Sequence, residues 1–176
     1  MNGIEEALRD CGALQFGDFT LASGAKSKYY IDIKRASTDP KVLKRIAEGM
    51  AANLKASGLE VDRIAGIVLG SVPLAAALSL ETGIPYVMVR KEKKDHGTGK
   101  LIEGVLNEGD RVLVVEDVIT SAGSSVKGIE TLRAAGATIT DVYSVIDREA
   151  GGPEALAQIG VKLTPLVKAS DLLKGI

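Results

Sequence analysis

The chain has 176 residues, enough for one α/β domain with a full core, and its 22 Lys and Arg nearly balance 23 Asp and Glu. That balance excludes a global field for nucleic acid or an anionic membrane, and 3% aromatics without Trp argue against stacking on single-stranded nucleic acid. The lone Cys11 excludes an intramolecular disulfide and a multi-cysteine metal site; with no signal-peptide pattern and no apolar run of about 18 residues, a cytoplasmic protein is expected.

Residues Ile4 to Cys11 read as a short amphipathic helix. Phe19-Thr20-Leu21 and Tyr29 to Ile33 read as strands of a hairpin-like segment, broken by Ser23-Gly24-Ala25-Lys26-Ser27. Asp39-Pro40 places an N-cap before a proline at the first helical position, and helical spacing continues to about Ala56. A βα alternation follows: strand Arg63 to Leu69, helix Val72 to Thr82, strand Tyr86 to Val89, charged loop Arg90 to Lys100, strand Arg111 to Glu116, helix Ser124 to Ala135, strand Ile139 to Ile146. No repeat or linker divides the chain, so the expectation is one α/β domain over 1–176, with a mostly parallel central sheet flanked by helices.

Ligands of such sheets bind beyond the carboxyl ends of the strands. Here those ends are Leu69-Gly70-Ser71, Arg90-Lys91, Glu116-Asp117 and Asp147-Arg148. The richest is Val114-Val-Glu116-Asp117-Val118-Ile119-Thr120-Ser121-Ala122-Gly123-Ser124, where an apolar run meets two carboxylates, then small hydroxylated residues and a helix start. A helix N-terminus suits a phosphate, and the carboxylates suit sugar hydroxyls, so a ribose 5-phosphate fits both halves. A plain capped βα turn accounts for the serines but not for two adjacent, mutually repelling carboxylates.

The segment Arg90-Lys91-Glu-Lys-Lys94-Asp-His96-Gly-Thr-Gly-Lys100 holds five basic residues and the only histidine. Alone it reads as a solvated loop. Beside the candidate site it reads as a mobile cationic lid that stabilises a departing polyphosphate and excludes water. Arg148 is equally compatible with a salt bridge to Asp147 or Glu149 and with anchoring a carboxylate.

These motifs resemble the type I phosphoribosyltransferases, and more narrowly the orotate phosphoribosyltransferase family, in an archaeal-like subgroup. Val114 to Ser124 is similar to the signature for 5-phosphoribosyl 1-diphosphate (PRPP); Arg90-Lys91-x-x-Lys94-Asp95-His96-Gly97 is similar to the orotate enzymes' loop. Phe19-Thr-Leu-x-Ser23-Gly24-x-Lys26-Ser27 and Asp147-Arg148-x-x-Gly151-Gly152 resemble two further family segments. The resemblance spans roughly residues 16 to 152. It implies a type I phosphoribosyltransferase fold with a small N-terminal hood (about 1–35) over a PRPP-binding core (about 60–150).

The resemblance further implies transfer of phosphoribosyl from PRPP to orotate, giving orotidine 5′-monophosphate and diphosphate in pyrimidine (UMP) biosynthesis. Lys94, His96 and Asp117 would be catalytic. PRPP would be held by Arg90, Lys91, Lys94, His96, Glu116, Asp117 and the run Val118, Ile119, Thr120, Ser121, Ala122, Gly123 and Ser124, with Glu116 and Asp117 on the ribose hydroxyls. Thr120 and Arg148 would bind orotate. Mg²⁺ would be carried mainly by the diphosphate, with no protein metal ligand. The working form would be a homodimer with Arg90, Lys94 and His96 acting in trans, and neither nucleic acid nor membrane as partner.

The chain departs from many bacterial members at two places. Ala22 stands where they carry a ligand-contacting Lys, and Leu69-Gly70-Ser71 stands for their Tyr-Lys-Gly, so a cation of the diphosphate turn is missing. The alternatives are a purine salvage phosphoribosyltransferase and a non-catalytic regulator of the same fold that senses a nucleotide or sugar diphosphate.

Overall fold

In the computed structural model, which describes residues 2–20, 24–92 and 99–174, helix α1 (Asn2–Asp10) buries Ala7 and Leu8 in the core. Strands β1 (Leu14–Thr20) and β2 (Lys26–Ile31) then pair antiparallel, with a register slip between Phe16 and Phe19. β1 begins five residues before the expected strand, because the Gly17-Asp18 interruption hides its alternation. Lys26 and Ser27, expected in the break, belong to β2. Leu21, Ala22 and Ser23 lie outside the described residues.

The second strand stops at Ile31 rather than Ile33, because the Asp32 carboxylate accepts the Lys34 amide at 3.1 Å and starts the short helix α2 (Ile33–Ser37). Helix α3 (Pro40–Ser57) begins as expected: Asp39 accepts from the Lys41 and Val42 amides at 2.9 and 3.1 Å, ahead of Pro40. It ends at Gly58, in the left-handed region at φ 67°.

The βα units are β3 (Arg63–Ile67), α4 (Val72–Thr82), β4 (Tyr86–Val89), β5 (Ile102–Glu103), β6 (Val112–Ile119), α5 (Gly123–Ala134), β7 (Asp141–Asp147), α6 (Gly152–Gln158), β8 (Lys162–Lys168) and α7 (Ala169–Leu172). The sheet order is β5-β4-β3-β6-β7-β8, parallel throughout except for the β4–β5 pair. Strand order reverses between β3 and β6, which is where doubly wound sheets open a crevice for ligands.

Both faces of the sheet are covered. Ile64, Leu113, Val115 and Tyr143 pack in one cluster with Ile46 and Met50 of α3 and Leu74 and Leu78 of α4. Ala65, Ile67, Val112, Val114 and Val142 pack in the other with Ile129 and Leu132 of α5 and Leu156 of α6. Burial on both sides explains why Val112–Val115 is uniformly apolar rather than alternating.

One expected boundary moves in a way that matters. β6 does not stop at Glu116: Glu116, Val118 and Ile119 continue the ladder opposite Ser144, Ile146 and Asp147 of β7. Glu116 and Asp117 are therefore consecutive strand residues whose side chains diverge, which separates two carboxylates that adjacency alone would set against each other.

Candidate active site

Four strand ends converge as the chain order implied. The Val68 amide donates to the Val89 carbonyl at 2.8 Å, and the Arg148 amide to the Ile119 carbonyl at 2.8 Å, so the β3, β4, β6 and β7 ends are tied edge to edge. Between them lies a cavity of about 300 Å³ whose walls include Lys34, Gly70, Ser71, Lys91, Asp117 and Ser124. A larger cavity, about 630 Å³, lies against α5 on the flank of the sheet and is lined mainly by apolar atoms of Leu101, Ile102, Ala134 and Ala135. The larger one also has Lys100, Lys127 and Glu130 at its wall but lies along the body and C-terminal end of α5, whereas the smaller one joins two carboxylates and two lysines to the start of that helix.

Glu116 sits at its floor, 4% exposed. The Ser71 hydroxyl donates to one carboxylate oxygen at 2.5 Å and the Ser125 hydroxyl to the other at 2.6 Å. Ser71 and Ser125 are themselves buried, at 1% and 2% exposure. The carboxylate thus links the turn that starts α4 to the first turn of α5, across the switch point. Burial is the main influence on its pKa and raises it from 4.5 to about 6; the two serines pull it down, the Asp117 charge pushes it up and Lys91 pulls it down.

Asp117 is half-buried and takes the Val118 amide on one oxygen at 2.9 Å. Its other oxygen lies against Gly70, in the space a Cβ at residue 70 would occupy. A side chain at 70 would have to displace the carboxylate, so the missing lysine of the turn is a matter of room as well as of sequence.

The segment after β6 is built to expose amides. Ala122 adopts φ 64°, a left-handed conformation that costs an alanine roughly 1–2 kcal/mol, and caps α5 without a side-chain hydrogen bond. Ser125, the hydroxyl in the first turn, is turned inward to Glu116. Among the described residues, no side chain accepts from the first amides of α5, which lie beside exposed Thr120, Ser121, Gly123 and Ser124. From below, Gly152 presses on this loop: a Cβ there would lie 2.8 Å from the Thr120 carbonyl oxygen and would overlap Ile119.

The expected residues divide as follows. Glu116, Asp117, Val118, Ser124 and Lys91 line the cavity. Ile119 and Ala122 are buried, so their side chains support the loop and only their backbone is available. Arg90 is drawn into an ion pair with Glu103 of β5 at 2.9 Å, and its amide donates to the Leu101 carbonyl, which anchors it at the base of the cationic loop. Lys94 and His96 lie outside the described residues.

Arg148 forms neither of the local salt bridges open to it. Asp147 accepts the Glu149 amide, Glu149 accepts the Ser170 amide, and the Arg148 guanidinium lies 5.2 Å from the centre of the Tyr29 ring. Tyr29 thereby connects the β1–β2 sheet to the end of β7, while Tyr30 packs on Phe19 at 5.6 Å between ring centres. Lys34 stands outside every motif, and although Ser71 and Gly152 fall in segments singled out above, nothing in the sequence shows that Ser71 and Ser125 meet Glu116 or that Gly152 supports the loop. The serines look like ordinary helix caps; only the tertiary structure turns them onto Glu116. Among the described residues, no group of three or more His, Cys, Asp or Glu side chains is placed to hold a metal ion.

Comparison with known proteins matches residues 37–162 to the phosphoribosyl transferase domain. The chain is 55% identical to a Methanosarcina mazei orotate phosphoribosyltransferase, covering 96% of this chain and 89% of that one. Its fold superposes on the crystal structure of orotate phosphoribosyltransferase from Aeropyrum pernix with a TM-score of 0.87 and 34% identity, covering 97% of this chain and 96% of the other. A Mycobacterium tuberculosis orotate phosphoribosyltransferase crystallised with PRPP matches with a TM-score of 0.80 and 29% identity, over 96% of each chain.

Proposed function

The chain belongs to the orotate phosphoribosyltransferase family, within the phosphoribosyl transferase domain family, and from that premise we propose how its residues divide the reaction. The enzyme transfers phosphoribosyl from PRPP to orotate, giving orotidine 5′-monophosphate and diphosphate in pyrimidine biosynthesis. The observation that carries the assignment of roles is the uncapped start of α5 at Ala122, next to Asp117 and Glu116 at one cavity.

In this reading the 5-phosphate takes the free amides of Gly123 and Ser124 and the hydroxyls of Thr120, Ser121 and Ser124. Asp117 accepts ribose hydroxyls. Glu116, with one lone pair left on each oxygen, accepts a second while holding the two turns at fixed spacing. The bond from C1 to the diphosphate oxygen breaks with its electron pair on the leaving group. The ring nitrogen of orotate forms the new bond to C1 and releases its proton to solvent. Asp117 lies nearest to the sugar as positive charge develops there. Lys91 meets the leaving group, while Arg90, Lys94 and His96 serve the partner's site. Thr120 and Arg148 receive orotate, the latter offering a planar fork to its carboxylate; the support is a guanidinium stacked on Tyr29 rather than salt-bridged.

The donor set fits Mg²⁺ brought by the substrate: among the described residues lining the cavity, Asp117 is the one solvent-accessible carboxylate, so most ligands would come from diphosphate and water. When bound, the ion neutralises charge on the leaving diphosphate. A homodimer is supported by α4, which buries Leu74, Ala75 and Leu78 yet leaves Leu80 89% exposed. A helix apolar on all sides needs cover, and a second copy supplies it while bringing a second cationic loop. The proposed setting is cytoplasmic, in keeping with the single thiol of Cys11; no described helix is long and apolar enough to cross a membrane.

The test is a spectrophotometric assay with PRPP, Mg²⁺ and a panel of bases. Turnover of orotate, with adenine, guanine and hypoxanthine inert, is expected. Purine turnover without orotate turnover would contradict the reading, as would PRPP binding without any transfer.

A further inference from the structure

We propose that Lys34 binds the diphosphate of PRPP, supplying from α2 the cation that the turn at Gly70 has no room to carry. The inference rests on the PRPP reading of the cavity and assigns a residue to it that no motif marks.

Several features of Lys34 converge. Its side chain lines the cavity, whose walls also include Leu69, Gly70, Ser71 and Lys91. Its backbone is fixed twice, because the amide donates to Asp32 and the carbonyl accepts both the amide and the hydroxyl of Thr38 at 3.0 and 2.7 Å. Its helical neighbours Ile33 and Ala36 are packed in the core, so α2 holds Lys34 at a set position relative to the strand ends. The residue itself is exposed, and among the described residues no carboxylate pairs with its ammonium group. A rigidly mounted, unpaired cation facing a cavity is suited to a ligand of opposite charge.

Charge balance at the cavity points the same way. Glu116 and Asp117 already make its floor acidic, yet the substrate is a polyanion. Among the described residues lining it, Lys34 and Lys91 are the cations available to offset both. The carboxylates belong to the β6 end, which the ribose occupies in this reading, and the β3–α4 turn lies beside it. Gly70 cannot bear a basic side chain there without displacing Asp117. Lys34 reaches the same space from outside the turn and leaves Asp117 in place. Lysine suits the task, since its ammonium group binds phosphate as a point charge without a fixed fork geometry.

The experiment compares Lys34→Ala, Lys34→Gln and Lys34→Arg with wild type, using the full chain with Mg²⁺. For the Ala and Gln variants, the KM for PRPP and the inhibition constant of inorganic diphosphate are expected to rise roughly tenfold, as for a lost hydrogen bond to a charged group. The KM for orotate and the inhibition constant of ribose 5-phosphate are expected to stay within about twofold, the usual scatter of a surface change. Lys34→Arg is expected to retain most of the affinity. PRPP and diphosphate constants within twofold of wild type in the Ala and Gln variants would overturn the proposal. Equal weakening of ribose 5-phosphate would also overturn it, because that places the residue on the sugar or on cavity shape. Calorimetric titration of diphosphate into wild type and Lys34→Ala reads the same contact without turnover. A wild type that binds diphosphate but fails to use orotate therefore counts against the reaction and not against Lys34.

Discussion

Replacing Glu116 with Gln isolates the effect of burying a charge between two serines. In the folded protein the carboxyl titrates near 6 instead of 4.5, chiefly because it is buried. At 1.36 kcal/mol per pH unit this corresponds to about 2 kcal/mol. The sign follows from the direction. The folded state holds the proton more tightly, so the contribution of Glu116 is fully present below pH 4.5 and is lost as pH rises through about 6. Glutamine cannot ionise, and its amide keeps an acceptor for one serine and a donor for the other. Urea unfolding of both proteins, at fixed protein concentration across pH 4 to 8, should show the Gln variant gaining about 2 kcal/mol relative to wild type over that range. A difference that stays flat, or that moves in favour of wild type as pH rises, would refute the account of a buried, serine-held carboxylate.

Lys94→Ala and His96→Ala should each lower turnover by roughly 10²–10³ with an unchanged melting curve, as for loss of one preorganised charge at a leaving group; near-normal turnover would remove the loop from the mechanism. Gly152→Ala should destabilise the fold by about 1–3 kcal/mol in urea unfolding and raise the KM for PRPP, because its methyl group collides with the Thr120 carbonyl and Ile119. An unchanged midpoint would mean that the loop does not depend on this contact. Arg148→Lys keeps the charge but loses the planar fork, so the KM for orotate should rise about tenfold while that for PRPP holds; an unchanged orotate KM would exclude Arg148 as its anchor.

Much of the core was legible because it obeys simple periodicities. The unbroken apolar run at Val112–Val115 reads as a strand covered on both faces, and Asp39-Pro40 reads as a helix start. What escaped is governed by tertiary contacts. Strand β8 carries Pro165, which is compatible with an edge strand paired only to β7 but masks it in the sequence. The two residues of β5 are too few to carry a pattern. The end of β6 was read too early, since paired carboxylates look like loop chemistry until Ser71 and Ser125 satisfy one of them inside the sheet. The PRPP signature contains Glu116, Asp117, Val118 and Ser124 of the cavity wall, whereas Lys34, remote in sequence and lacking a motif, reaches the same cavity only through the packing of α2.

Reassociating two inactive variants tests the proposed sharing of the site, in which a sugar held at Asp117 of one subunit reacts with the help of Lys94 from the other. Asp117→Asn and Lys94→Ala homodimers are each expected to be nearly inactive. Mixed in equal amounts and allowed to exchange subunits, they should recover about a quarter of wild-type turnover, because half the dimers are mixed and each mixed dimer has one intact site. Verified mixed dimers with no recovered turnover would contradict the claim.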